Sequence, residues 1–367
     1  MRQFLSTLLF LLLIGRNDRL AAQARSPDSN GPPPDSSDTP HWLLRIYDDN
    51  DLINIWGQIT DDAYTNGTRF DLFYTREKMG RNWTDRIFPS AGNGSIDLYG
   101  WGIMQVMYTP SNLADPYYQP NDYPWSAGLF ATHTLYSYNP VRHYDFQTEW
   151  VLGVMGPAAL GKQVQDVIHQ LTNSQQPMGW GHQYSNALLL NLNFTAEKQL
   201  ASDGHFLELI AGGRASVGTM TNALAVYPLL RIGRMSPYFQ GYMSQYASTE
   251  PGTHSRHVHR AQFYFLLRPE ADLVLTNALL EGGIYTTNPN EPKGSPKGQS
   301  PPSGGSSNPP SDIPYPALNP VVWSLNYGAV LTFSHFGISC TQSVQNAMMK
   351  GLYCHNVGNI SVYFNWL

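Results

Sequence analysis

In four separate stretches every second residue is apolar, and that period of two limits the fold more than any other feature of the chain. Tyr144, Phe146, Thr148, Trp150, Leu152 and Val154 share one face, with Asp145, Gln147 and Glu149 on the other. Leu188, Leu190, Leu192 and Phe194 repeat the pattern, as do Trp323, Leu325, Tyr327, Ala329, Leu331 and Phe333. The chain ends the same way, with Ile360, Val362, Phe364 and Trp366 set against Asn359, Ser361, Tyr363 and Asn365. Alternation of this kind is the mark of a strand with two unlike faces. A soluble sandwich would alternate too, with its apolar face inward. Three observations favour a membrane barrel instead. Trp and Tyr sit near strand ends, the opposite faces are polar rather than heavily charged, and the last strand is aromatic. Charged residues make up only 13% of the chain, about half the usual share, while aromatics also reach 13%.

Residues 1–24 fit a secretory signal peptide, with Arg2 at the start, a short apolar core from Phe4 to Gly15 and small residues at Ala22 and Ala24. No later run approaches the roughly 20 apolar residues that a spanning helix needs. Residues 25–41 are rich in Pro, Ser and Asp and read as a disordered leader. Order is expected from Trp42, and 42–367 forms the barrel. The pattern predicts twelve strands, near 42–56, 67–77, 98–110, 126–139, 143–155, 183–197, 204–217, 219–232, 258–274, 320–333, 335–345 and 355–366. The fold class is therefore all-β, a twelve-stranded antiparallel outer-membrane β-barrel with a short α-helix in an extracellular loop. Lipid-exposed backbone must be fully paired, so the sheet has to close.

Such barrels keep short turns on the periplasmic side and long loops outside. With a periplasmic N-terminus, the turns at Ser334 and at Asn139-Pro140 fall inside as they should. One join, 233–257, breaks the rule by being long on the periplasmic side. The loop 286–319 is of low complexity and reads as a surface loop without chemistry of its own. Cys340 and Cys354 can pair or remain as thiols. The net charge of -5 gives no reason to expect nucleic acid as a partner.

The helix is expected after the fifth strand. Pro157 suits a first helical position, good helix formers continue through Leu171, and Asn173 with Ser174 can close the end. Gln165 and His169 are four residues apart, so their side chains point the same way. Two polar groups aligned on one face suit a helix laid beside a site, although a lone histidine there is more often structural. Asp48, Asp49, Asn50 and Asp51 near the end of strand 1, with Thr65, Asn66 and Gly67 at strand 2, gather the oxygens that a hard cation requires. Acidic residues at a barrel mouth are also often only solvated.

Together these pieces resemble the lipid A 3'-O-deacylase (LpxR) family. The resemblance rests on Asn50-Asp51, Tyr64-Thr65-Asn66-Gly67, Tyr108-Thr109-Pro110-Ser111, the run from Gly156 to His169, and Trp180 with Gln183. It implies a twelve-stranded outer-membrane barrel that removes the 3'-linked acyloxyacyl chain of lipid A with the help of calcium. The partner implied is lipid A, or lipopolysaccharide, of the outer leaflet, with the active site facing that leaflet. Carried over by motif, the implied catalytic set is His169, Asn50, Asp51, Thr65 and Gln165. His169 would act as general base and Asp51 would hold calcium. The site is expected between the helix and the wall of strands 1 and 2. One position departs from the family pattern: Gln175 stands where a glutamate is expected, six residues after His169. Two other readings stay open on sequence alone, a calcium-dependent phospholipase and a catalytically impaired barrel that binds or supports.

Overall fold

The period-two segments pair edge to edge in chain order until the first meets the last. A computed structural model describes residues 41–54, 63–75, 83–204, 206–247, 261–284 and 315–366. Its strands are β1 (Trp42–Asn50), β2 (Ala63–Thr75), β3 (Ile96–Thr109), β4 (Ser126–Asn139), β5 (Tyr144–Met155), β6 (Ala187–Ser202), β7 (Leu207–Gly218), β8 (Thr221–Arg234), β9 (Ala261–Asn277), β10 (Val321–Phe333), β11 (Phe336–Gln345) and β12 (His355–Trp366). Every neighbouring pair is antiparallel, and β1 pairs with β12 from Trp42↔Trp366 to Asn50↔Gly358, closing the barrel. Closure removes the open edges that a membrane would not tolerate. The first strand is shorter than its pattern implies, because Asp51–Ile53 turns into a 3-10 helix. The second starts earlier, at Ala63. The expected signal peptide, the leader up to residue 40 and loop residues 286–314 lie outside the described residues. Cys340 and Cys354 are both free.

Alternation decides which side chains face the lumen and which face the surroundings. On β9, Phe263, Phe265, Leu267, Leu273 and Leu275 are exposed on the exterior, while Tyr264, Arg268 and Asp272 line the interior. An apolar exterior around a polar lumen is inside-out for a soluble protein and is what a hydrocarbon solvent demands. We call the end where β1, β3 and β5 finish the upper end. The tight lower turns behave as expected: Ser334 takes a left-handed φ of 53°, and His143 N–H donates to Asn139 O at 2.9 Å across the β4–β5 turn.

The lumen is stoppered at both ends. The anomalously long join after β8 is described up to Ala247. Its described part folds up into the lumen as a 3-10 turn (Tyr238–Gln240) and a short helix (Tyr242–Ala247). Tyr242 stacks on Tyr136 and Tyr246 on Tyr363, each with ring centroids 4.2 Å apart and planes 5° from parallel. Tyr238 donates to Glu197 Oε2 at 2.6 Å. At the upper end a helical turn (Ala278–Glu281), capped by Asn277, buries Ala278, Leu279 and Leu280 among Phe130, Met155 and Tyr184. A polar cavity of about 780 Å3 lies between the two stoppers.

One wall is covered from outside as well. The β2–β3 connection forms α1 (Trp83–Ile87) beside the middle of β4 and then runs down the exterior toward its lower end. Asp85 reaches His133 Nε2 at 2.7 Å, and both side chains are almost fully buried. Ala91 N–H donates to Ser137 Oγ, and Asn139 Nδ2 donates to Ala91 O and Asn93 O. Phe88 packs among Tyr74, Tyr99, Leu135 and Trp42. This strap explains how polar His133 and Ser137 can occupy outward positions of a membrane strand.

Candidate active site

The upper half of the same wall carries the helix expected after β5, now α2 (Gly161–Thr172). Pro157 opens a 3-10 turn, Pro157–Ala159, and not the α-helix itself. Leu160, at φ 61°, breaks the two apart. Gly161, its first residue, lets the helix approach the wall closely: a Cβ there would lie 2.4 Å from Ala127 Cβ and 2.8 Å from the Trp180 ring. Asn173 ends it in the left-handed conformation, its N–H bonded to Gln170 O and His169 O, as expected for a helix C-terminus.

α2 lies outside the barrel. Ala159 and Trp180, with the half-buried Val164, pack on Met107, Trp125 and Ala127, the outward-facing side chains at the upper ends of β3 and β4. Gln105 Nε2 ties the segment down further, donating to Ala159 O at 2.7 Å. The helix therefore sits against β3 and β4, not against strands 1 and 2 as expected from sequence. The reason is the compact cluster of Trp125 and Trp180, whose rings lie 5.1 Å apart.

Gly161, Gln165 and His169 form the buried face of α2. His169 is 3% exposed. Its Nδ1 donates to the backbone carbonyl of Gln175, an arrangement that leaves Nε2 as the basic nitrogen of the neutral ring. Gln165 Oε1 accepts from Trp180 Nε1 at 2.7 Å. That bond fixes which end of the amide is which, and Gln165 Nε2, buried, has no hydrogen-bond partner among the described residues. A buried amide with two N–H groups to offer, one helical turn from an oriented imidazole, can stabilise negative charge developing on an oxygen. Trp180 is the residue whose role was not legible from residue type. Its fixed spacing from the helix was the available signal.

Asn50, Asp51 and Thr65 lie at the same upper end of the barrel, on β1, in the turn after it and on β2. Asn50 pairs with Asn66 across β1–β2. A bulge in β2 falls between Tyr64 and Asn66, so Thr65 leaves the ladder and its hydroxyl meets that of Thr109, the last residue of β3, at 2.5 Å. Bulges re-aim side chains in this way. Asp51, in the turn after β1, is fully buried. The acidic run of strand 1 does not act as one cluster. Asp49 faces the lumen, bonded to Tyr47, Tyr64 and Asn359, while Asp48 faces outward, bonded to Asn66 and Thr68. Among the described residues no group of three or more His, Cys, Asp or Glu side chains could hold a metal. The oxygens that the expected residues bring to the upper rim are the Asp51 carboxylate, the Asn50 amide, the Thr65 hydroxyl and backbone carbonyls. That donor set fits a hard cation such as calcium in kind, since calcium accepts carbonyl, hydroxyl and water oxygens beside a carboxylate.

A family model described as outer membrane protein LpxR matches residues 5–366. The chain belongs to that family. Among solved structures it is similar to LpxR from Salmonella typhimurium, with 16% identity, a TM-score of 0.65, and coverage of 88% of this chain and 99% of that one. At that identity the likeness speaks to the fold: a closed twelve-stranded barrel with the same course. The beta domain of the Bordetella autotransporter Brka aligns over 89% of this chain and 98% of its own at 9% identity, with a TM-score of only 0.38. No curated protein sequence matches the chain. Membership in this family makes the chain an outer-membrane protein, in accord with its apolar exterior.

Proposed function

We propose that this LpxR-family barrel is an esterase that removes the 3'-linked acyloxyacyl chain of lipid A, working from its upper end, turned toward the outer leaflet. The observation that carries the reading is His169: buried on the wall-facing side of α2, with Nδ1 tied to a main-chain carbonyl. His169 Nε2 takes a proton from water, and the resulting hydroxide attacks the ester carbonyl carbon. Charge gathers on the carbonyl oxygen, where the N–H groups of Gln165 Nε2 can receive it. When the tetrahedral intermediate collapses, the proton on His169 passes to the leaving sugar oxygen. The products are a free 3'-hydroxyl and an acyloxyacyl acid. Asp51, with oxygens of Asn50 and Thr65, would hold calcium, which when bound supplies Lewis-acid polarisation of the carbonyl.

The location supports the reading. The site is on the exterior of the wall, so a lipid can reach it by lateral diffusion without leaving the bilayer. Mass spectrometry of lipid A from cells expressing the chain tests it. The wild-type protein is expected to remove one acyloxyacyl unit in the presence of calcium and not after chelation. His169→Ala is expected to lower the rate by about 10²–10⁴-fold, the usual worth of a general base. Unchanged lipid A in cells with a correctly inserted wild-type barrel would overturn the proposal.

A further inference from the structure

The exposed side of α2 is not uniform, and its division points to what surrounds it. At about 100° per residue, the helix presents three sectors in turn. The first, Gly161, Gln165 and His169, is buried against the barrel. The second is polar and exposed: Lys162, Gln163 and Gln170, with Asp166 ion-paired to Lys162. The third is apolar and exposed, with Val167 at 55% and Leu171 at 81%. Ile168 lies at its margin, and Leu160 and Met178, just before and after the helix, add exposed apolar surface. A helix in water would turn Val167 and Leu171 inward and leave Gln165 and His169 outside. This one does the reverse.

We propose that α2 is an interfacial helix, lying in the membrane surface at the upper end of the barrel with its third sector in the acyl chains of that leaflet. The occupant is lipid hydrocarbon because the apolar sector continues an exterior already committed to it, through Ile103 and Trp101 on β3 and Leu152 on β5. Polar residues on the adjoining sector then meet headgroups and water, the arrangement of amphipathic helices that lie on membranes. The seam between α2 and the wall, where Gln165 and His169 are buried, thereby borders hydrocarbon on one side. A lipid ester can enter with its acyl chains still solvated by neighbouring lipids. The functional part of this inference rests on the esterase reading; the placement of the helix does not.

Site-directed spin labelling separates the two. In a Cys340→Ser, Cys354→Ser background, Gln163→Cys, Val167→Cys, Gln170→Cys and Leu171→Cys are labelled singly. The full barrel is reconstituted in phosphatidylethanolamine–phosphatidylglycerol vesicles. Labels at 167 and 171 are expected to collide with oxygen more than with a water-soluble nickel chelate, and labels at 163 and 170 the other way round. Equal nickel accessibility at all four positions would overturn the proposal. If the pattern holds while wild-type protein releases no acid from lipid A, the helix placement stands and the esterase reading fails. Where wild-type protein is active, Val167→Asp with Leu171→Asp is expected to slow hydrolysis about tenfold in vesicles, from the lost apolar burial, and to leave it nearly unchanged in detergent micelles. An equal loss in both media would also count against the interfacial role.

Discussion

Strands β4 and β9 are built for the same solvent and meet different ones. Outward-facing side chains of β9 alternate into the surroundings from Phe263 to Leu275. On β4 only Ala131 is exposed and Leu129 half-buried, while every other residue of Ser126–Asn139 is buried on whichever side it faces. The difference comes from two connections that fold back over β4, the strap from Trp83 to Gly94 below and the α2 segment above. Cover changes what a strand can carry. β9 exposes Phe and Leu outward, whereas β4 places His133, Ser137 and Asn139 there, each bonded to the chain that hides it. β4 thus keeps polar side chains on the exterior under cover, and α2 packs on the upper end of the same strand.

Uncovering β4 is expected to cost most. His133→Leu leaves the Asp85 carboxylate under the strap without its partner, against Trp101, whose ring lies 4.3 Å from that of His133. Breaking a buried pair from one side typically costs about 3–5 kcal/mol. Replacing both, as His133→Leu with Asp85→Leu, should restore most of that, because no charge is then stranded. Urea unfolding of the refolded barrel measures both. Equal losses in the single and double variants would mean that the strap is held by packing and not by the pair.

On β9 the corresponding break is a charge on the lipid face. Leu267→Arg, near the middle of the strand and 40% exposed, should destabilise by about 2–4 kcal/mol, the range for Arg near the bilayer midplane. Among the described residues no connection folds over Leu267 as the strap does over His133, so a second substitution is not expected to rescue it. If Leu267→Arg proved harmless while His133→Leu did not, the exterior of β9 would have to be shielded in the membrane by something other than lipid.

The contrast also explains how much could be read from sequence. β10, the neighbour of β9, announces itself because the solvent on each face is uniform along the strand, so alternation survives intact from Trp323 to Phe333. β4 was recognisable as a strand and the α2 segment as a helix, but that either connection would fold over β4 was not. α1 is only five residues long, and the join after β8 that enters the lumen shows no strand alternation. What marks that join is its length on the side of short turns, with tyrosines at 238, 242 and 246 spaced for one face of a helix. At the site, the i, i+4 pair Gln165 and His169 was legible because helical spacing is local. Which wall it faced was not, because that depends on Trp125 and Trp180 meeting across 55 residues of chain. Asp48 and Asp49 misled for the opposite reason: adjacent in sequence, they stand on opposite faces of β1.

The smallest expected effect belongs to Gln175, the position where the family pattern has a glutamate, and it tests how the upper cover of β4 works. The Gln175 side chain is exposed, and its Nε2 donates to the next carbonyl, Gln176 O, at 3.1 Å. What reaches His169 is the Gln175 main-chain oxygen. A carbonyl fixes the imidazole tautomer and ring angle whatever side chain stands above it, while a carboxylate would add charge that raises the basicity of the ring. Gln175→Ala is therefore expected to change the rate by less than about twofold, as for a surface substitution that leaves every contact of the base in place. Gln175→Pro, which locks the backbone at φ near -65°, is the sharper probe, because it acts on the carbonyl's direction and spares the charge. Rates for the two variants on lipid A, measured beside wild type, decide the matter. A large loss in Gln175→Ala would show that the side chain turns inward during catalysis. A large gain in Gln175→Glu would show that this chain works below the rate its own scaffold permits.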